Sequence, residues 1–223
     1  MKRKEQMRHI RNSLLVLVLL ALIEPGCRPV TSLVTSQNPY RTDYLQALEK
    51  WTREARVYRG LDMELICSAT FKSAAYRSAY VKEYAATYLL TPEAELKLEE
   101  DQATAGAEFH DFVMATSIPD HKWNDFDQKD SMWKISLSND SNDRIESVEI
   151  RELDKKDPVI GEFFPYVSPW RYVYSLRFPV RIPEKNKDFI SPDTRFITLT
   201  VTGVKGTCHM TWGLILSSTN RKL

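Results

Sequence analysis

The order of periodicities along the chain predicts an α+β fold: an antiparallel β-sheet or sandwich of about seven strands, with two or three helices in the N-terminal half. Three observations carry this. Helical spacing of apolar residues is confined to the stretch before Gly106. Beyond it, apolar and polar residues alternate almost throughout. Six strand candidates then succeed one another with no helix between them, which disfavours parallel βαβ winding.

Asn38 before Pro39 reads as an N-cap with proline at N1, and Tyr44, Leu48, Trp51, Ala55 and Tyr58 recur at helical intervals, so one helix is expected to run until Gly60 ends it. The period then changes to two. Leu61, Met63, Leu65, Cys67, Ala69 and Phe71 form the apolar face of a strand. "SAAYRSAYVKEYAATYLL" reads as an alanine-rich helix, and Thr91 and Pro92 cap and open another that reaches about Gly106.

The segment 109–118 is the next strand candidate. Trp133, Ile135 and Leu137 alternate with polar residues in the following one, and "NDSND" supplies turn chemistry before the strand "RIESVEIREL". "RYVYSLRFPVRI" places Tyr172, Tyr174, Leu176, Phe178, Val180 and Ile182 on one face, with Pro179 suggesting an edge position or a bulge. The closing hairpin turns around Val204 to Gly206 and aligns Cys208, Met210, Trp212, Leu214 and Leu216.

Ahead of this domain, "MKRKEQMRHIRN" is basic, and the apolar run from Leu14 to Ile23 has ten residues, about half of what a ~30 Å hydrocarbon core requires. This is the pattern of a secretory signal. The "EPGC" that follows resembles the lipobox of bacterial lipoproteins through Gly26 and Cys27, with Glu24 and Pro25 departing from the usual apolar positions. The resemblance covers about the first thirty residues. It implies lipidation at Cys27 and, since Arg28 is not acidic, delivery to the periplasmic face of the outer membrane. Ordinary cleavage near Val30 and Ser32 is the alternative and gives a soluble periplasmic protein. The resulting organisation is a signal peptide over 1–26, a lipidated cysteine and flexible tether over 27–38, and a single domain over 39–223.

Without residues 1–26, 26 basic side chains face 28 acidic ones, so no basic excess remains to attract phosphate backbones, and nucleic acid is not expected as a partner. The expected partners are the membrane, through the lipid, and an envelope protein; the ligand is unknown.

Cys67 and Cys208 both lie on apolar strand faces, and in an oxidising compartment they form a candidate disulfide worth roughly 4–5 kcal/mol in the chain-entropy model, with two separate buried thiols as the alternative. Cys208 and His209 point to opposite faces, and no CxxC or HExxH spacing occurs, so no metal site is expected. The acidic loop "DHKWNDFDQKD" lacks the EF-hand pattern, having Lys129 and Asp130 where a ligand and a glycine are needed, and reads as a solvated turn pinned by Trp123 and Phe126.

Two aromatic groups are candidates for a ligand or partner surface. Tyr76, Tyr80, Tyr84 and Tyr88 recur every fourth residue on the alanine-rich helix, and Phe163, Phe164, Tyr166 and Trp170 cluster in "FFPYVSPW". In both groups plain packing competes with binding. No GxSxG, SxxK or phosphate-cradling glycine loop is present, and His110–Asp111 and Asp120–His121 lack an evident nucleophile. The sequence therefore predicts an exported, non-enzymatic binding or accessory module without a cofactor. A small-ligand or lipid-binding module walled by the two aromatic groups is the alternative, and a hydrolase the least favoured.

Overall fold

A computed structural model describes residues 38–214. The leader, Cys27, the tether up to Gln37, and Leu216 of the last strand face lie outside the described residues.

The elements in chain order are α1 (Arg41–Trp51), β1 (Thr52–Arg59), β2 (Asp62–Phe71), α2 (Ala74–Thr87), α3 (Pro92–Glu108) and β3 (Phe109–Ser117). A single 3-10 turn, His121–Trp123, leads to β4 (Lys134–Asn139), β5 (Arg144–Glu146), β6 (Glu149–Leu153) and α4 (Pro158–Phe163). The chain ends with β7 (Tyr172–Pro179), β8 (Arg181–Ile182), β9 (Lys187–Asp188), β10 (Phe196–Gly203) and β11 (Gly206–Gly213). The α+β class and the antiparallel pairing hold. Strands are more numerous than expected because several are short, and a fourth helix, α4, sits in the connector before β7.

Five strands make one sheet in the order β1, β2, β3, β7, β6, and four make a second in the order β11, β10, β4, β5. Antiparallel register puts Leu65, Cys67 and Ala69 of β2 on the same face as Met114 and Thr116 of β3 and Tyr174 and Leu176 of β7. On the second sheet Leu137, Leu199 and Met210 share one face in the same way. All these side chains are buried, and Phe112 meets Trp212 at 5.2 Å between ring centroids, so the two apolar faces form one sandwich core. The outer face of the second sheet is a polar ladder, with Thr198 facing Thr211 at 2.9 Å, Thr200 facing His209 at 3.0 Å and Thr202 facing Thr207 at 2.6 Å.

Four local expectations are corrected. The first helix stops at Trp51, and Ala55 and Tyr58 belong to β1, which pairs antiparallel with β2 along its length, with a bulge between Val57 and Tyr58. The interstrand ladder outcompetes one more helical turn there, and Gly60, at φ +63°, closes a β-hairpin rather than a helix. Leu61, in that turn, is fully exposed and not on the apolar strand face. "RIESVEIREL" is two strands in different sheets, β5 beside β4 and β6 beside β7. β7 lies between β3 and β6, so Pro179 marks its end, not an edge strand.

Candidate functional site

The site is built where the α2–α3 hairpin is inserted between two paired strands. Phe71, the last residue of β2, lies opposite Phe112 of β3, and the Lys72 amide extends the ladder by donating to the Asp111 carbonyl at 2.9 Å. Ser73 then turns the chain into α2, its hydroxyl accepting from the Tyr76 amide at 3.2 Å as an N-cap. The chain returns through α3 and enters β3 at Phe109. A cavity of about 510 Å³ lies in this crook, between the end of the sandwich and the two helices. Trp51, Phe71, Val81, Phe109, Ile190 and Leu214 make its walls predominantly apolar.

Lys72, Arg77 and His110 are the basic residues that line this space. Arg77 is fully engaged: its guanidinium donates to Asp111 Oδ2 at 2.6 Å, to Gln102 Oε1 at 2.8 Å and to the Lys72 carbonyl at 2.9 Å. Both members of the Arg77–Asp111 pair are buried, and the pair ties α2 to β3. α3 approaches this guanidinium closely because residue 106 is glycine; a Cβ there would stand 3.2 Å from Arg77 Nε.

Lys72 and His110 differ from Arg77 in having no partner. Among the described residues the Lys72 ammonium has neither an ion pair nor a hydrogen bond. Burial holds its pKa down to about 8, with Arg77 acting in the same direction and Asp111 against it. The His110 ring sits 6.2 Å from Phe71 and 5.9 Å from Phe189, centroid to centroid, and its Nε2 is buried with no hydrogen-bond partner. Burial pushes His110 down to about 4, so the ring is neutral at neutral pH. Glu99 is exposed at the cavity rim on α3. The inner surface thus offers one uncompensated cation and one neutral imidazole amid apolar side chains.

The two aromatic groups singled out from the sequence meet each other, but not at this cavity. Phe163 packs edge-on against Tyr44 at 5.4 Å and Tyr80 at 5.0 Å, and Phe164 stacks on Tyr76 at 6.4 Å. The Tyr44 hydroxyl donates to the Phe163 carbonyl, and Tyr166 bonds Thr70 at 2.8 Å and the Val113 carbonyl at 3.0 Å. Tyr76, Phe163 and Phe164 are buried, Tyr80 and Tyr84 are partly buried against the core, and Tyr88 is 44% exposed. These residues join α1, α2 and α4 in a packed aromatic cluster. Trp170 stands outside it at 79% exposure. The cavity opens on the other face of α2, through Ala74, Arg77, Ser78 and Val81.

Cys67 and Cys208 are both buried, on β2 and β11, and are free thiols in this structure. His209 faces outward to Thr200. Phe126 stacks on Trp133 at 5.3 Å and the Trp133 indole donates to the Trp123 carbonyl at 2.8 Å, anchoring the acidic loop as its sequence suggested. Among the described residues no group of three His, Cys, Asp or Glu side chains is placed to hold a metal ion, and no helix is long and apolar enough to cross a membrane.

Sequence reasoning passed over Lys72 and Arg77 and weighed His110 only as a neighbour of Asp111. One signal was present: Asp111 stands in the middle of a strand whose neighbours are apolar, and a buried carboxylate requires a cationic partner.

No family model matches the chain, and no curated protein matches it. Two solved structures are similar. A protein of unknown function from Burkholderia pseudomallei K96243 is 9% identical with a TM-score of 0.38, the match covering 77% of this chain and 82% of that one. A DUF4426-family protein from Pseudomonas aeruginosa PAO1 is 10% identical with a TM-score of 0.30, covering 73% and 97% respectively.

Proposed function

We propose that this protein is a small-ligand-binding module whose ligand is an amphipathic anion, with an apolar body filling the cavity beside α2 and a single carboxylate-like head paired with Lys72. The observation that carries the reading is an ammonium with no partner inside an apolar-walled cavity of about 510 Å³, a size typical of ligand sites. An uncompensated charge there costs the fold stability, and an anion bearing its own apolar surface offsets that cost. A hydrolase is less well supported: among the described residues no hydroxyl or thiol is hydrogen-bonded to His110 or Lys72, so neither has a nucleophile to activate.

The test is calorimetric titration with octanoate, octan-1-ol and octylammonium, which share an apolar body and differ in the head group. Saturable binding of octanoate, weaker binding of the alcohol and none of the amine are expected, with octanoate binding lost in Lys72→Met. Equal affinity for octanoate and octanol, or undiminished binding by the variant, refutes the role of Lys72.

A second reading, contact with an envelope protein, is favoured by exposed apolar residues at two neighbouring hairpin tips. Leu61 and Val204 are 101% and 77% exposed, and Arg59 of the first tip bonds the Val204 carbonyl at 3.3 Å. We further propose that the module is exported and lipid-anchored at Cys27, on the strength of the basic leader, the short apolar run and the lipobox-like "EPGC". Mass spectrometry of the mature N-terminus tests this: a diacylglyceryl adduct on Cys27 supports the anchor, and an unmodified N-terminus beyond Cys27 removes it.

A further inference from the structure

We infer that Cys67 and Cys208 are the two halves of a disulfide that joins the first sheet to the last strand of the second. Two sets of contacts bring these residues to the same level. In the first sheet, Cys67 lies opposite Ala55 of β1. β1 in turn runs beside β11: Arg53 Nε donates to the Thr211 carbonyl at 3.0 Å, and a Cβ on Gly206 would stand 2.4 Å from Val57 Cγ1. Halfway between those two contacts, Ala55 falls level with Cys208 and His209. Of these two, Cys208 is the one facing inward, packed with Val201 and Met210 in the core while His209 faces the solvent. The two inward-pointing thiols therefore meet beside Ala55, where the sheets join.

The ionisation of the pair agrees with this placement. Cys67 is pushed up, chiefly by hydrogen bonding with the Cys208 thiol and then by burial, while Cys208 is drawn down by the same contact.

The oxidant is a disulfide of the glutathione class. The thiolate of one of the two cysteines attacks one of its sulfurs and expels the first thiolate, giving a mixed disulfide. The thiolate of the other cysteine then attacks the protein sulfur of that mixed disulfide and expels the second. Two protein thiols and one external disulfide become one protein disulfide and two external thiols, the protons leaving Cys67 and Cys208 being taken up by the expelled thiolates. Because both sulfurs are buried in the folded protein, exchange takes place while β11 is still undocked during folding.

The experiment uses the full chain carrying Cys27→Ser, so that the third thiol cannot shuffle. The protein is refolded from denaturant with oxidised and reduced glutathione, then alkylated, digested without reduction and mapped by mass spectrometry. The expected result is a linked peptide pair containing Cys67 and Cys208, an intact protein two hydrogens lighter and both thiols lost to alkylation. Its unfolding transition should lie at higher denaturant than that of the dithiothreitol-treated protein, and a Cys67→Ala, Cys208→Ala double variant should unfold like the reduced form. If both cysteines alkylate after oxidative refolding, or if Cys208 ends as a glutathione adduct with Cys67 free, the inference is overturned. The outcome is independent of the octanoate titration.

Discussion

Replacing Lys72 by methionine should make the protein more stable while removing the anion site. The lysine amine falls from its ordinary 10.5 to about 8 in the folded chain, and at about 1.4 kcal/mol per tenfold change this sets an upper bound of about 3 kcal/mol on the folding free energy lost, because the half-buried side chain keeps its ammonium within reach of water. Methionine keeps most of the aliphatic stem and removes the charge. For a chain of this size that bound corresponds to a rise in Tm of about 6–12 °C. The sign follows from the folded-state value being the lower one. Below pH 8 both folded and unfolded lysines are charged and the full cost is present. Between pH 8 and 10.5 only the folded one has lost its proton, and wild-type stability recovers towards that of the variant. Arg77, Asp111 and Arg177 are the charged groups that act on Lys72, and Glu99 lies at the rim; none is altered by the substitution. Urea denaturation of both proteins from pH 7 to pH 10 measures the gap directly. A variant less stable than wild type at pH 7, or a gap that does not narrow above pH 8, refutes the assignment of Lys72 as a half-buried, unpartnered cation.

Arg77→Met should cost about 3–5 kcal/mol in the same assay, because it leaves Asp111 buried with only the longer Arg177 contact at 3.5 Å. Adding Asp111→Leu should restore much of the loss if the pair is structural. His110, neutral and pushed down to about 4, makes wild-type stability fall by about 3 kcal/mol between pH 6.5 and 4, as the unfolded ring takes up a proton that the folded ring refuses. His110→Phe should flatten that part of the profile. Asp143 acts below this window: Lys185 and Lys187 hold it down to about 2, so its contribution is present above pH 4 and is lost as the pH falls towards 2. Tyr166→Phe should cost about 1–2 kcal/mol through its bonds to Thr70 and the Val113 carbonyl, yet leave octanoate affinity unchanged. A loss of octanoate binding would move the ligand to the aromatic cluster.

Where apolar periodicity and pairing agreed, the sequence was readable in detail. β10 and β11 alternate cleanly around a glycine-bearing turn, and α3 opens with Thr91 accepting from the Ala94 amide and Pro92 at N1, as the residues suggest. Reading failed where two periods fit the same residues. Tyr44 to Tyr58 satisfies helical spacing throughout, but Thr52 to Arg59 also alternates in burial, and the presence of β2 as a partner selects the strand. "RIESVEIREL" reads as one strand because nothing local says that its halves face different neighbours.

The cavity was less legible still. Lys72 and His110 are 38 positions apart and belong to segments of different character, one ending a strand and the other starting one. They meet because Phe71 pairs with Phe112 and the helical hairpin between them leaves the sheet as a single insertion. The tyrosines announced themselves through spacing, and Tyr76, Tyr80 and Tyr84 pack with Phe163 and Phe164 away from the cavity while Tyr88 stays exposed.

By itself the sequence determined which faces are apolar, and hence the α+β class, the antiparallel sheets, the starts of α2 and α3 and the inward orientation of Cys67 and Cys208. These depend on side chains within a few residues of one another, where the periods of helix and strand govern. Tertiary structure alone decided which strands are neighbours, where the cavity lies and which buried charges find partners. Those properties depend on distances between residues remote in the chain, and pairing across a sheet fixes such distances only after the whole set of strands has been chosen.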